Sequence, residues 1–180
     1  MTAADEELFR RMKREDARAL KALFERYYPA LCGFAVSIVK NAETAEETVS
    51  DVFAELWLKR ATIEIRTSVR QYLYGAVRNR SLNSLRSSGL RIDSFEDGDI
   101  EPADTEVAAD QPVLFHELEQ GIEALINRMP DRRRLIFRMN RIDGMSYQEI
   151  AEVLSLSIHT VQNQMVEAVK FLARSSDHLR

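Results

Sequence analysis

Apolar residues recur along this chain at three- and four-residue spacings, the pattern of helices that each bury one stripe. It predicts a helix over residues 5–28, with Leu8, Phe9, Met12, Ala17, Leu20, Leu23, Phe24 and Tyr27 on the stripe. Pro29 marks a break or a first-turn position, and Leu31 to Val39 continues as a further apolar piece. Asn41-Ala42-Glu43 interrupts it. Thr44 and Glu47 then form a capping-box pair opening a helix to about Lys59, with Ala45, Val49, Val52, Phe53 and Leu56 inward and Trp57 beside them. Residues 59–67 lack a stripe and are predicted as an exposed basic loop. Ser68 with Gln71 caps a helix to about Arg86, where Val69, Leu73, Ala76, Val77 and Leu85 mix with arginines.

After a polar, acidic tract the helical period returns. Val113 to about Asn127 places Leu114, Leu118, Ile122, Leu125 and Ile126 inward before Met129-Pro130 breaks the helix. Asp131 to Asp143 places Leu135, Ile136, Met139 and Ile142 inward, and Gly144 closes it as a left-handed cap. The stretch MSYQEIAEVLSLSIHTVQNQMVEAVKFL (145–172) comes next. Ser146 and Glu149 form a capping box, Ser155-Leu156-Ser157 is a tight turn, and Ser157 caps a longer helix. There Ile158, Val161, Met165, Ala168, Val169 and Leu172 face inward, and His159, Thr160, Gln162, Asn163 and Gln164 face outward. That is a helix-turn-helix whose amides could read base edges. The same two capped helices also occur in helical cores that bind nothing, so the pattern leaves both options open.

The predicted fold class is all-α. Two helical domains, residues 1–88 and 113–180, are joined by a flexible acidic linker at 89–112, and the second is a four-helix helix-turn-helix domain. With only 6 glycines and 4 prolines in 180 residues, long helices are favoured over turn-rich sheet. Cys32 is the single cysteine, which rules out an internal disulfide and a cysteine-based zinc site. A densely charged start and no apolar run of membrane-spanning length lead to the expectation of a cytoplasmic protein without membrane insertion.

The net charge of -4 looks wrong for a DNA binder until it is divided along the chain. Residues 1–91 carry +4, residues 92–112 carry -8, and residues 113–180 are neutral. The acidity thus sits in the middle segment, and local charge governs contacts with nucleic acid. His116, His159 and His178 are scattered, with no glycine-rich phosphate loop and no nucleophile–base or metal-ligand spacing. An enzyme is therefore not expected, nor a cofactor or metal.

Three segments carry a family resemblance: AEETVSDVFAELWLKR (45–60), YLYGAVRNRSLNSLR (72–86) and INRMPDRRRLIFRMNRIDGMSYQEIAEVLSLSIHTVQNQM (126–165). In this order, across an acidic linker, they resemble bacterial RNA polymerase sigma factors of the extracytoplasmic-function (ECF) group of the sigma-70 family. The resemblance implies a promoter-specificity subunit that initiates transcription by recognising minus-ten and minus-thirty-five elements. It implies docking on the polymerase's clamp coiled coil through Asp51, Phe53, Leu56 and Trp57, although Phe53 and Leu56 also lie on the inward stripe. The matching minus-ten reader comprises Arg66, Arg70, Arg78, Asn79, Asn83 and Arg86. Lys59 and Arg60 add charge, and Tyr72 and Tyr74 add rings for unstacked bases. The minus-thirty-five positions match His159, Thr160, Gln162, Asn163 and Val166.

The chain departs from the family at four places. Gln162 and Gln164 stand where relatives often carry Arg or Lys, Ser155 where they have Gly, and Asn83 where many have Asp. In relatives the linker threads into the RNA exit path, which Asp93, Glu96, Asp97, Asp99, Glu101 and Asp104 would suit; a plain acidic tether fits their composition equally. The implied partners are core polymerase, promoter DNA and an anti-sigma factor. The competing class is a free-standing helix-turn-helix regulator, but that needs an upstream receiver or ligand domain, usually α/β, and the N-terminal block here is helical.

Overall fold

Among the described residues, which are 3–87, 121 and 123–176 of a computed structural model, every regular element is an α-helix. The chain divides into two units, Met1–Asp93 and Ser94–Arg180. The expected all-α class is what is found.

The first unit holds α1 (Ala3–Lys13), α2 (Ala17–Val39), α3 (Ala42–Leu58) and α4 (Val69–Ser87). The single helix predicted over 5–28 is in fact two. Glu15 turns left-handed at φ 67°, and Asp16 caps α2 by accepting from the Arg18 amide at 3.0 Å. Arg11 donates to the other Asp16 oxygen at 2.7 Å, and that bond holds the carboxyl below its ordinary pKa. No glycine or proline announces this break, so the continuous stripe conceals it.

The reverse error occurs at Pro29, which lies inside α2 and breaks nothing. An interior proline removes one helical bond and costs about 3 kcal/mol. Leu23 and Tyr27 before it and Leu31, Phe34 and Ala35 after it are all buried, which offsets that cost. At the next boundary the cap is Asn41 rather than Thr44, since Asn41 Oδ1 accepts from the Thr44 amide at 2.8 Å. Ser68 caps α4 as expected, accepting from the Gln71 amide at 3.1 Å. Leu23, Leu31, Val49, Leu56, Leu73 and Val77 are wholly inaccessible and form the centre of this unit. One polar cluster enters the core: the Tyr27 hydroxyl donates to Asp5 at 2.8 Å, and Arg26 pairs with the same carboxylate. Burial first, and Asp5 second, push the Tyr27 pKa up.

The second unit shows the end of a helix at residues 123–127 (α5), then α6 (Asp131–Arg141), α7 (Tyr147–Leu154) and α8 (Ile158–Ser176). The predicted linker, residues 89–112, and the predicted start of α5 lie outside the described residues. Gly144 at φ 65° turns the chain out of α6. The Met145 amide then donates to Met139 O at 2.9 Å and Asn140 Nδ2 to Met145 O at 2.7 Å, so the buried Met145 pins the hairpin to α6. The Ser146–Glu149 capping box is complete in both directions. Ser155 takes the left-handed conformation at φ 57° that ends α7, and Ser157 Oγ accepts from the Thr160 amide at 2.9 Å to start α8.

Three residues predicted inward in this unit are not. Ile142 is 59% exposed, Ile158 45% and Val169 50%. Ile142 falls one residue beyond the last turn of α6, and Ile158 occupies the first position of α8. Neither has a full turn on both sides to hold it against a neighbour. Val169 sits roughly 80° from Val161 around α8, at the edge of the buried stripe.

Leu56, wholly buried on α3, provides a test of the first core. Leu56→Ala is expected to destabilise the chain by about 2–5 kcal/mol, read as a lower urea midpoint by far-ultraviolet circular dichroism.

Candidate nucleic-acid interface

On α8 the core selects which residues remain for a ligand. Val161, Met165 and Ala168 are buried. At about 100° per residue, His159, Asn163, Val166 and Lys170 fall within roughly 60° of one another on the opposite side. His159, Asn163 and Lys170 are exposed and Val166 is 53% exposed. Gln162 flanks this stripe and makes no side-chain hydrogen bond among the described residues. Thr160 differs from the other four predicted readers: its hydroxyl lies 2.8 Å from Ser157 Oγ and belongs to the helix cap. Asn163 Nδ2 and His159 Nε2 are 3.1 Å apart, joining two predicted readers to each other. Arg133 Nε donates to Gln164 at 3.3 Å beside the stripe, whereas Arg134 pairs with Asp131 and Arg138 with Glu123.

A second outward stripe runs along α4. Tyr72, Asn79, Asn83 and Arg86 fall within roughly 60° of one another, and Arg78 lies roughly 80° beyond Arg86 on the flank of this stripe. Asn79, Asn83 and Arg86 are exposed, and Tyr72 and Arg78 are half-buried. Arg86 Nη1 donates to Asn83 Oδ1 at 3.3 Å. Burial, and after it the Arg86 charge, lower the Arg78 pKa; a half-desolvated cation beside another cation gains from an anionic ligand. Arg70 is on another side of the helix, close enough to Tyr27 for its charge to act on that phenol. Tyr74 supplies no platform for a base: it is 1% exposed and its ring lies 5.0 Å from that of Phe34.

The 59–68 loop is less free than its sequence implies. Arg60 donates to Glu15 at 2.7 Å and to Trp57 O at 2.9 Å. Its guanidinium also stacks 4.3 Å from the Trp57 ring. Lys59 pairs with Glu55, and Lys13 Nζ donates to Ile63 O at 3.0 Å. Among the cations predicted in this loop, Lys59 and Arg66 are exposed. The loop is thereby held against the α1–α2 turn.

The four α3 candidates do not share one face. Phe53 and Trp57 line an apolar groove of about 290 Å³ with Leu20, Phe24 and Ala54. Phe53 is buried at its floor, edge-on to Phe24 at 5.0 Å. Leu56 is wholly buried and acts through the fold. Asp51 is on the other side, where Arg80 of α4 reaches it at 2.7 Å and Glu55 at 3.1 Å. Lys59, hydrogen-bonded to Glu55, lowers that carboxyl's pKa. Sequence reasoning missed Arg80, since no local spacing reveals a pair between two helices. It also missed Leu58, which stands 77% exposed beside these carboxylates; an outward leucine interrupts no stripe.

Two family models match the two units in order. The model for sigma-70 region 2 matches residues 23–91, and that for sigma-70 region 4 matches residues 119–172. The chain belongs to the sigma-70 family. Its relatives identify the ECF group. The RNA polymerase sigma-H factor of Pseudomonas aeruginosa is 25% identical over 173 residues, covering 91% of this chain and 89% of that protein. The ECF sigma-E factor of Escherichia coli K12 is 26% identical over 176 residues, covering 91% and 90%. Among solved structures, the sigma factor RpoE from Bartonella quintana, crystallised with the anti-sigma factor NepR, shares the fold. Its TM-score is 0.55 at 21% identity, covering 86% of this chain and 94% of that one.

This chain is thus an RNA polymerase sigma factor: it directs core polymerase to promoters and has no catalysis of its own. A free-standing regulator is not favoured, because region 2 occupies the first unit, where such a regulator would carry a receiver. The Arg80 bridge between α3 and α4 spans partly exposed groups, and such pairs contribute little to stability. Arg80→Ala is therefore expected to shift folding stability by less than about 1 kcal/mol; a larger loss in urea denaturation would make the bridge structural.

Proposed function

We propose that this sigma factor grips promoters with the outward stripes of α4 and α8 while α3 docks on the clamp coiled coil of core polymerase. In this assignment residues 1–88 form the docking and minus-ten domain, 89–112 the linker, and 113–180 the minus-thirty-five domain. The observation that carries it is the α8 stripe, where predicted readers lie together opposite a buried one. Gln162 and Asn163 suit adenine and Val166 suits a thymine methyl, each good contact contributing about 1–3 kcal/mol of discrimination.

On α4, Asn79, Asn83 and Arg86 with Arg78 meet the minus-ten strand, and Arg66 adds charge from the loop. Arg70, on another side of α4 with its charge acting on Tyr27, is left out of this strand contact. Docking uses Trp57 at the rim of the apolar groove and Asp51 with Leu58 on the other side of α3. Phe53 and Leu56 shape that surface from beneath. The B. quintana relative was crystallised with an anti-sigma factor, which supports an anti-sigma partner for this chain too. No helix among the described residues is long and apolar enough to cross a membrane; the work of a sigma factor supports a cytoplasmic location.

Two measurements test the assignment. Trp57→Ala is expected to weaken core binding at least about thirtyfold, the loss typical of an interface anchor, with circular dichroism unchanged; Asp51→Ala loses less, since Arg80 already occupies its carboxylate. Unchanged core affinity in both would move docking off α3. With holoenzyme on single-stranded minus-ten oligonucleotides, Arg78→Ala and Arg86→Ala should each reduce the log–log salt slope by about 0.7. Slopes equal to the parent's would remove these arginines from the phosphate path.

A further inference from the structure

The 3.1 Å contact between Asn163 Nδ2 and His159 Nε2 joins residues four apart on one face of α8, the spacing at which helical side chains meet. With the amide nitrogen donating, the imidazole accepts through Nε2 and carries its proton on Nδ1. One N–H of Asn163 is then committed. Its carbonyl Oδ1, which makes no hydrogen bond among the described residues, and its second N–H remain available.

Adenine offers an N6 donor beside an N7 acceptor in the major groove, whereas guanine offers two acceptors, O6 and N7. An amide showing one oxygen and one N–H matches adenine. An amide turned about its last torsion would instead aim donors outward and suit guanine. That terminal torsion is broad and roughly two-fold, so an unrestrained asparagine samples both arrangements.

We propose that His159 is a positioning residue: its Nε2 fixes the amide orientation of Asn163, and the pair selects adenine over guanine at one minus-thirty-five position that His159 itself does not touch. This rests on the assignment of α8 as the minus-thirty-five reader. It also accounts for how an uncharged residue achieves specificity on a helix whose neighbours Gln162 and Gln164 replace the family's frequent Arg or Lys. Thr160, tied to the Ser157 cap, cannot substitute for His159 as the orienting group.

The test is run-off transcription by core polymerase with the full-length chain over a randomised minus-thirty-five library. Asn163→Ala locates the base position that Asn163 reads. His159→Ala is expected to lower the adenine-over-guanine preference at that same position by about fivefold and leave other positions alone. His159→Gln, which offers an acceptor oxygen at the same spacing, is expected to restore it. The double variant should match Asn163→Ala alone. Both side chains are exposed, so melting by circular dichroism should match the parent throughout.

The proposal is overturned if His159→Ala changes a different position, which makes the histidine a reader in its own right. It is also overturned if the Asn163 position keeps its preference in His159→Ala, or if His159→Gln fails to rescue. Should Asn163→Ala alter no position, the assignment of α8 falls and the proposal falls with it; a failure confined to the His159 variants leaves that assignment standing.

Discussion

Rotation of a helix about its own axis decides which residues of this protein can meet a ligand, and burial sets that rotation. Val161, Met165 and Ala168 turn α8 so that the opposite stripe can face only outward. Val69, Leu73 and Val77 do the same for α4. Each buried aliphatic side chain contributes about 1.5–3 kcal/mol, so a few of them outweigh any surface contact. A promoter reader needs this rigidity, because a turn of one residue would carry every base contact about 100° off target.

The two units solve a common problem with different fasteners. In the first, side chains distant in sequence stitch the loop after α3 to the α1–α2 turn, through Arg60 with Glu15 and Lys13 with Ile63 O. In the second, short-range backbone geometry does the work: Gly144 and Ser155 turn left-handed, and Ser146 and Ser157 cap α7 and α8. The helix-turn-helix is therefore written almost wholly in local chemistry. The docking surface is written in contacts that only the folded chain brings together.

That difference explains how much of the fold was legible in the sequence. Capping residues at Ser68, Ser146 and Ser157 mark helix starts because a cap is a local bond. Most of the buried stripes of α3 and α8 follow from periodicity, and with them the outward positions His159 and Asn163; Val166 came only from the family resemblance. The break at Glu15 was hidden because no glycine or proline marks it and the apolar stripe runs on past the Asp16 cap. Pro29 misled in the opposite direction, since burial on both sides overrode a local penalty. The loop cations mattered most. Lys59 and Arg60 read as free charge, yet Lys59 pairs with Glu55 one turn back, a local spacing that was overlooked, while the Glu15 partner of Arg60 is supplied by the fold. Arg80 went unnoticed for the same reason as Arg60. Composition shows how many charges a surface holds, and only tertiary structure shows which are already neutralised.

Trp57 is the only tryptophan in the chain, and it lies at the rim of the α2–α3 groove beneath the Arg60 guanidinium. All indole emission from this protein therefore originates at one point, beside a cation and at the edge of a surface assigned to docking. Any partner that seats there must dry that ring or displace its arginine. The molecule thus carries its own optical probe: a shift in emission, with no label attached, can follow in real time how the chain passes from one partner to the next.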